Sequence, residues 1–210
     1  MLFIRGYKND SSLWTVSVGK YRRDRVEVGQ VTAQVKQIIT HAQYDTRTVA
    51  NDIALVVLTT PLTFSNVIGP ICLPGASQGV NEGEICLLAG WGSTRGTSDQ
   101  NALNQVALPI ISDSTCAQPD WYGLDFSQPD TTFCAGYEAG LKDGCTGDSG
   151  GPLICLRNNT WYMQGISSWG YGCAEHKWPG IYTEVNKYTA WIQDEVRKLR
   201  NNCAASPIVG

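Results

Sequence analysis

Asp143-Gly144-Cys145-Thr146-Gly147-Asp148-Ser149-Gly150-Gly151-Pro152 sets one serine inside a run of glycines, between two apolar segments. Glycine adopts positive φ at little cost and lets the backbone approach a ligand closely. Successive N–H groups in such a run can therefore turn inward and stabilise a developing oxyanion. Ser149 is thus a candidate nucleophile, with the N–H groups of Gly147 and Ser149 as candidate oxyanion donors. Gly-Ser-Gly runs also make ordinary turns and flexible linkers. Linkers rarely carry a cysteine, two aspartates and a proline at set places, as this run does.

The run also fits the Gly-x-Ser-x-Gly turn of α/β hydrolases, at Gly147 to Gly151. That turn must lead into a helix, but Ser149 is followed by Gly150-Gly151-Pro152 and the strand-like Leu153-Ile154-Cys155-Leu156. Hydrolase order also requires an acid and then a histidine after the serine. Only His176 follows, beside Glu175, and neighbours on a strand face opposite ways. The run instead closely resembles the nucleophile segment of trypsin-like serine proteases. The resemblance extends over nearly all of residues 5–203. It implies an all-β fold of two six-stranded antiparallel β-barrels, the first incomplete in this chain, plus a C-terminal α-helix. The organisation expected is one peptidase domain over 1–210, with a first-barrel remnant over 1–70, the second barrel over 71–185, a helix over 186–200 and a tail over 201–210.

Composition agrees with a disulfide-bonded β protein. The 210 residues are long enough to bury a sizeable core, and 17% charged residues with 22 glycines and 7 tryptophans suit a glycine-turned globule. A net charge of −3 offers no footprint for a polyanion, so nucleic acid is not an expected partner. Eight cysteines without paired Cys-x-x-Cys spacing, and only two histidines, argue against a metal site. Disulfides are the better reading and imply a secreted, oxidising setting. Asn9-Asp10-Ser11 and Asn158-Asn159-Thr160 are glycosylation sequons consistent with it. Met1-Leu2-Phe3-Ile4 is too short an apolar run for a secretory signal, so either targeting information lies upstream of this chain or the chain is an odd product. No stretch approaches the length of a membrane span.

Along the chain, Leu13 to Val18, Val26-Glu27-Val28 and Val35 to Ile39 read as short strands. The basic turn Gly19 to Arg25 lacks the hard oxygen ligands that calcium needs, so no calcium is expected there. Asn51-Asp52-Ile53-Ala54-Leu55 places an aspartate at the start of an apolar run, in isolation an ordinary turn residue. Ile85 to Gly90 and Gln105 to Ile110 resume strand character, and the Pro-, Asp- and Gly-rich segment between Cys116 and Cys134 reads as a surface loop. From Asn186, a candidate N-cap, apolar residues at Tyr188, Trp191, Ile192, Val196 and Leu199 fall on one helical face.

The resemblance assigns roles to these positions. Asp52 matches the aspartate that orients a catalytic histidine and stabilises its protonated form. Asp143 matches the floor of the primary specificity pocket, with Ser168, Trp169, Gly170 and Gly180 as its walls, which implies cleavage after Arg or Lys. Pro179 resembles family members without a pocket-side sodium site, so no metal and no cofactor is expected. The family pattern pairs Cys86 with Cys155, Cys116 with Cys134 and Cys145 with Cys173, each contributing about 3 to 4 kcal/mol in the chain-entropy model. Cys72 and Cys203 are left over, to pair with each other or with another chain, and Cys72 matches a position that often ties the catalytic domain to a propeptide or upstream region. Protein or peptide substrates and protease inhibitors are the implied partners.

Two family features are missing. His41 matches a non-catalytic position and His176 lies near the pocket rim, so no residue matches the catalytic histidine, whose segment would precede Met1. The mature terminus whose amine pairs with the aspartate at Asp148 is absent too, leaving Asp148 expected as a buried charge without a partner, at a cost of about 3 to 5 kcal/mol. The chain as given is therefore expected to be catalytically feeble. The alternative is a protease homologue that binds proteins without cleaving them. The tail Ser206-Pro207-Ile208-Val209-Gly210 echoes the start of a mature protease domain, a three-residue likeness that chance also produces.

Overall fold

A computed structural model describes residues 10–126 and 130–204, apart from the side chains of Leu124 and residues 202–204. The tail sequence at Ser206–Gly210 lies outside the described residues, as does Asn9. Strands β1 (Thr15–Val18), β2 (Val31–Thr40) and β3 (Ala54–Leu58) pair antiparallel in the order β1-β2-β3. The register runs from Thr15 opposite Gln34 to Thr40 opposite Ala54, with an irregularity between Val35 and Gln37. In β2, Ala33 and Val35 are buried while Thr32, Gln34 and Lys36 are exposed, the period-two pattern of a half-buried strand.

Val26-Glu27-Val28, expected as a strand, is a turn. The Glu27 carboxylate accepts hydrogen bonds from the N–H groups of Tyr21 and Arg22, folding the segment back on itself before Gly29. Val26 and Val28 are left 84% and 99% exposed. Their alternation with Glu27 mimics a strand, but no partner pairs with them.

The remaining strands are β4 (Ile85–Gly90), β5 (Asn104–Ile111), β6 (Thr132–Ala135), β7 (Pro152–Arg157), β8 (Thr160–Trp169) and β9 (Gly180–Glu184). They close a barrel in the order β4-β5-β6-β9-β8-β7. Closure leaves no unpaired sheet edge. Inward-facing Leu88, Leu108, Phe133, Leu153 and Tyr182 fill it, with the Phe133 and Tyr182 rings stacked at 5.7 Å. Two six-stranded barrels are thus represented by one closed barrel and a three-stranded sheet among the described residues.

The three disulfides Cys86–Cys155, Cys116–Cys134 and Cys145–Cys173 form as the family pattern implies. Cys86 and Cys155 face each other in register across β4 and β7. The segment after Cys116 is more than the surface loop expected. A short helix α1 (Asp113–Cys116), whose Thr115 N–H donates to the Ser112 hydroxyl, leads into a turn that buries Trp121, Tyr122 and Phe126. Tyr122 and Phe126 pack in one cluster with Cys116, Cys134 and Ile181.

The C-terminal helix differs from expectation at both ends. Val185–Tyr188 forms a 3-10 turn, and α2 runs over Thr189–Ala204, so Asn186 is not its N-cap and the span 186–200 is displaced. Asn186 is buried, and its amide donates to the Ala76 carbonyl at 3.2 Å. Tyr188 and Ile192 pack with Val185, with Met163 and Ile166 of β8, and with Ile53 at the head of β3. This cluster seats the open sheet on the barrel, next to Asp52.

Candidate active site

Asp52 precedes β3 at the end of a tightly held turn. Asn51 takes φ +54°, its Nδ2 donates to the Gln43 carbonyl at 2.9 Å, and its Oδ1 accepts from the Tyr188 hydroxyl at 3.1 Å. Asparagine is among the few residues that visit the left-handed region readily. Asp52 itself is 3% exposed. Its Oδ2 accepts from the Ser168 hydroxyl at 2.5 Å, and its carbonyl accepts from the Thr183 hydroxyl at 2.8 Å. Ser168 and Thr183 lie on β8 and β9, so an acid from the open sheet is bonded to the barrel. Sequence reading put Ser168 on a pocket wall and did not find its bond to Asp52, Thr183 or the Asn51 clamp.

Ser149 lies on a loop pinned to β8. Gly150 N–H donates to the Ser167 carbonyl at 2.8 Å, and Ser167 N–H returns to Gly151 at 3.0 Å. Gly147 at φ +100° and Gly150 at φ +78° supply backbone shapes that a β-carbon would strain. Ser149 is exposed, and the N–H groups of Gly147 and Ser149 donate to no acceptor among the described residues. Two unpaired N–H donors on one loop are the kind of group that can bind an oxyanion.

Asp148, half-buried, lies between Gly147 and Ser149 in the chain. Its Oδ1 accepts from Gly92 N–H and its Oδ2 from Cys145 N–H, each at 2.9 Å. The expectation of a carboxylate without partners is corrected: backbone N–H groups satisfy both oxygens. The fit needs glycines, since a β-carbon on Gly90 would lie 2.0 Å from Asp148 Oδ1 and one on Gly92 2.5 Å from its carboxyl carbon. A cavity of about 440 Å³ reaches Asp148 past Gly92, Ser93, Arg95 and Lys142.

A second cavity of about 290 Å³ has Ser149, Ser168, Trp169, Gly170, Gly180 and Asp143 in its lining. It therefore unites the serine with every residue that the resemblance assigns to the pocket. A β-carbon on Gly170 would stand 3.8 Å from Gly180 Cα, so the two glycines oppose one another across a narrow space. One on Gly180 would come within 3.3 Å of Asp143 Oδ1 and 3.0 Å of the Tyr182 ring. The Asp143 carboxylate accepts from Gly144 N–H at 2.7 Å and Ala174 N–H at 3.1 Å. Burial pushes its pKa up to about 6; the two N–H donors act against that rise and the nearby Asp148 charge adds to it. Trp169 is backed by Tyr122, whose hydroxyl donates to the Pro179 carbonyl at 2.6 Å, with ring centroids 5.3 Å apart.

Neither histidine hydrogen-bonds Ser149. The His41 ring packs on Tyr188 and Trp191 with centroids 5.4 and 5.1 Å away, and its Nδ1 accepts from Gln43 N–H. Burial there lowers the His41 pKa. His176 is exposed on the loop ahead of Trp178. Cys72 is a free, exposed thiol. No described helix is long and apolar enough to cross a membrane.

A closed antiparallel barrel that presents an exposed serine, free loop N–H donors and a buried acid is the architecture of a serine protease. The family model described as Trypsin matches residues 7–192, most of the chain. The chain belongs to the trypsin family. Protein substrates follow from that membership, and the disulfides fit an extracellular protease.

Proposed function

We propose that this chain carries the specificity and acyl-transfer site of a secreted trypsin-like endopeptidase that cleaves after Arg or Lys. One observation carries the reading: the Asp143 carboxylate lines the same cavity as Ser149. An Arg or Lys side chain entering that cavity would pair with Asp143 in a site with little water, where a charge-assisted hydrogen bond is strong. The scissile carbonyl would then lie against Ser149. Attack by the Ser149 hydroxyl would place the negative oxygen on the N–H groups of Gly147 and Ser149, and a histidine oriented by Asp52 would take the proton. Asp148 is the anchor for an activating amine that reaches it through the larger cavity. Cys72, free and exposed, is the point at which another chain would be disulfide-linked.

His41 is committed to Tyr188 and Trp191, so it does not serve as the base, and the chain by itself turns over substrate feebly. Removing the histidine of a comparable triad lowers kcat by about 10⁶-fold. The same observation favours a second reading, a non-catalytic homologue that binds proteins or protease inhibitors through the Asp143 cavity. The deciding experiment treats the purified chain with a fluorophosphonate and an Arg-amide substrate. Stoichiometric labelling of Ser149 together with sustained amide turnover refutes the feeble-catalyst reading. Binding of a basic peptide without turnover supports the pocket assignment in either case, and preference for aromatic residues in a peptide library rejects it.

A further inference from the structure

Asn158-Asn159-Thr160 joins β7 to β8. Arg157 pairs with Thr160, so Asn158 and Asn159 are the two residues of a tight hairpin loop, at φ +48° and +60°. Two successive positive φ values are the mark of the type I′ loop, in which asparagine is preferred. Turn chemistry alone accounts for an asparagine here. Thr160, two residues on, opens β8, where a β-branched residue is favoured, and it also completes an N-linked glycosylation sequon with Asn158.

Both asparagines are exposed, and the Asn158 side chain makes no hydrogen bond among the described residues. One register step below the loop, Leu156 pairs with Trp161, and these side chains are 49% and 40% exposed. Apolar surface of this kind, next to a polar tip, is what a carbohydrate would shield. The tip is also remote from the chemistry. Ser149 precedes the opposite end of β7, a six-residue strand about 20 Å long. A bulky group at the tip would leave the Asp143 cavity open.

We propose that Asn158 is an N-linked glycosylation site whose first sugars lie over the Leu156–Trp161 pair. The inference rests on the secretory reading above. In the transfer, Nδ2 of Asn158 forms a bond to the anomeric carbon of an oligosaccharide carried on a lipid diphosphate. The bond from that carbon to the diphosphate oxygen breaks, the lipid diphosphate leaves with the electron pair, and Nδ2 loses one proton. No oxidation or reduction is involved.

The test expresses the full chain behind a secretion signal in a eukaryotic cell line and digests protein recovered from the medium. Peptide N-glycosidase in ¹⁸O-water converts a glycosylated asparagine to ¹⁸O-labelled aspartate, which mass spectrometry locates. The expected result is label at position 158, lost in Asn158→Asp and Thr160→Ala and retained in Thr160→Ser. Aspartate tolerates the left-handed conformation, so Asn158→Asp keeps the turn. The oxidised Cys86–Cys155 peptide in the same digest records passage through an oxidising compartment. Unmodified Asn158 alongside that oxidised peptide overturns the assignment, as does label that survives Thr160→Ala. Failure of the protease reading would leave both signals unchanged.

Discussion

Lowering the pH from 8 to 5 is expected to weaken binding of an aryl amidine to this chain about tenfold, because the ligand needs an ionised Asp143. The carboxylate lies in the 290 Å³ cavity, with burial pushing its pKa up to about 6. At pH 8 about 99% of such a group is charged, and at pH 5 about 9%. A carboxylate at its ordinary value of 3.8 would still be about 94% charged at pH 5 and would show almost no change. The amidinium stays protonated throughout, and its charge lowers the Asp143 pKa in the complex, so the free protein sets the midpoint. Below pH 6 the affinity should fall by about one decade per pH unit. Titration calorimetry at half-unit steps, with Asp143→Asn as the control, measures this without any need for turnover. Affinity that is flat down to pH 5 would show that Asp143 is better solvated than its burial implies. Amidine binding that persists in Asp143→Asn would place the cation elsewhere.

Three further outcomes follow from the geometry. Ser168→Ala removes the 2.5 Å bond to buried Asp52 and should lower stability in urea by about 1.5 to 3 kcal/mol, as loss of a bond to a charged group does; an unchanged midpoint would mean that Asp52 is satisfied without it. Gly180→Ala puts a methyl group 3.3 Å from Asp143 Oδ1 and 3.0 Å from the Tyr182 ring. It should weaken amidine binding at least tenfold, about 1.4 kcal/mol, while overpacking costs about 1 kcal/mol in unfolding; wild-type affinity would show that the cation enters by another route. Replacing Cys86 and Cys155 together by alanine opens a link across 69 residues and should cost about 4 kcal/mol in the chain-entropy model, a loss that denaturant midpoints of oxidised and substituted protein compare directly.

The parts of this fold that are legible in the sequence are local or tied to a recognisable motif. Ile85–Gly90 reads as a strand because its apolar run ends at a glycine turn, and it is β4. Ser149, Asp143, Gly170 and Gly180 stand in segments with strong family character, and they line one cavity. Val26 to Val28 failed because alternation is only half of a strand; the other half is a partner, and Glu27 instead ties the segment to its own N–H neighbours. Asn186 has cap chemistry, yet it is spent on the Ala76 carbonyl, 110 residues away. The bonds from Ser168 and Thr183 to Asp52 span 116 and 131 residues, and no local pattern signals them. Likewise, the two backbone donors on Asp148 could not be read from a list of side chains.

Those long-range bonds to Asp52 also bear on the order in which the molecule is built. The barrel strands lie between Ile85 and Glu184 and, among strands, pair only with one another. Bringing Asp52 to Ser168 and Thr183 closes far longer loops, and such contacts carry a larger entropic cost before they are rewarded. Docking of the first sheet is therefore expected after barrel closure, and pulse-labelled hydrogen exchange that protects Val35 and Leu55 before Leu88 and Leu153 would refute that order. On that order a folding chain displays the Ser149 loop before Asp52 is bonded to Ser168 and Thr183, so the two halves of the proposed site meet only at the last step of assembly.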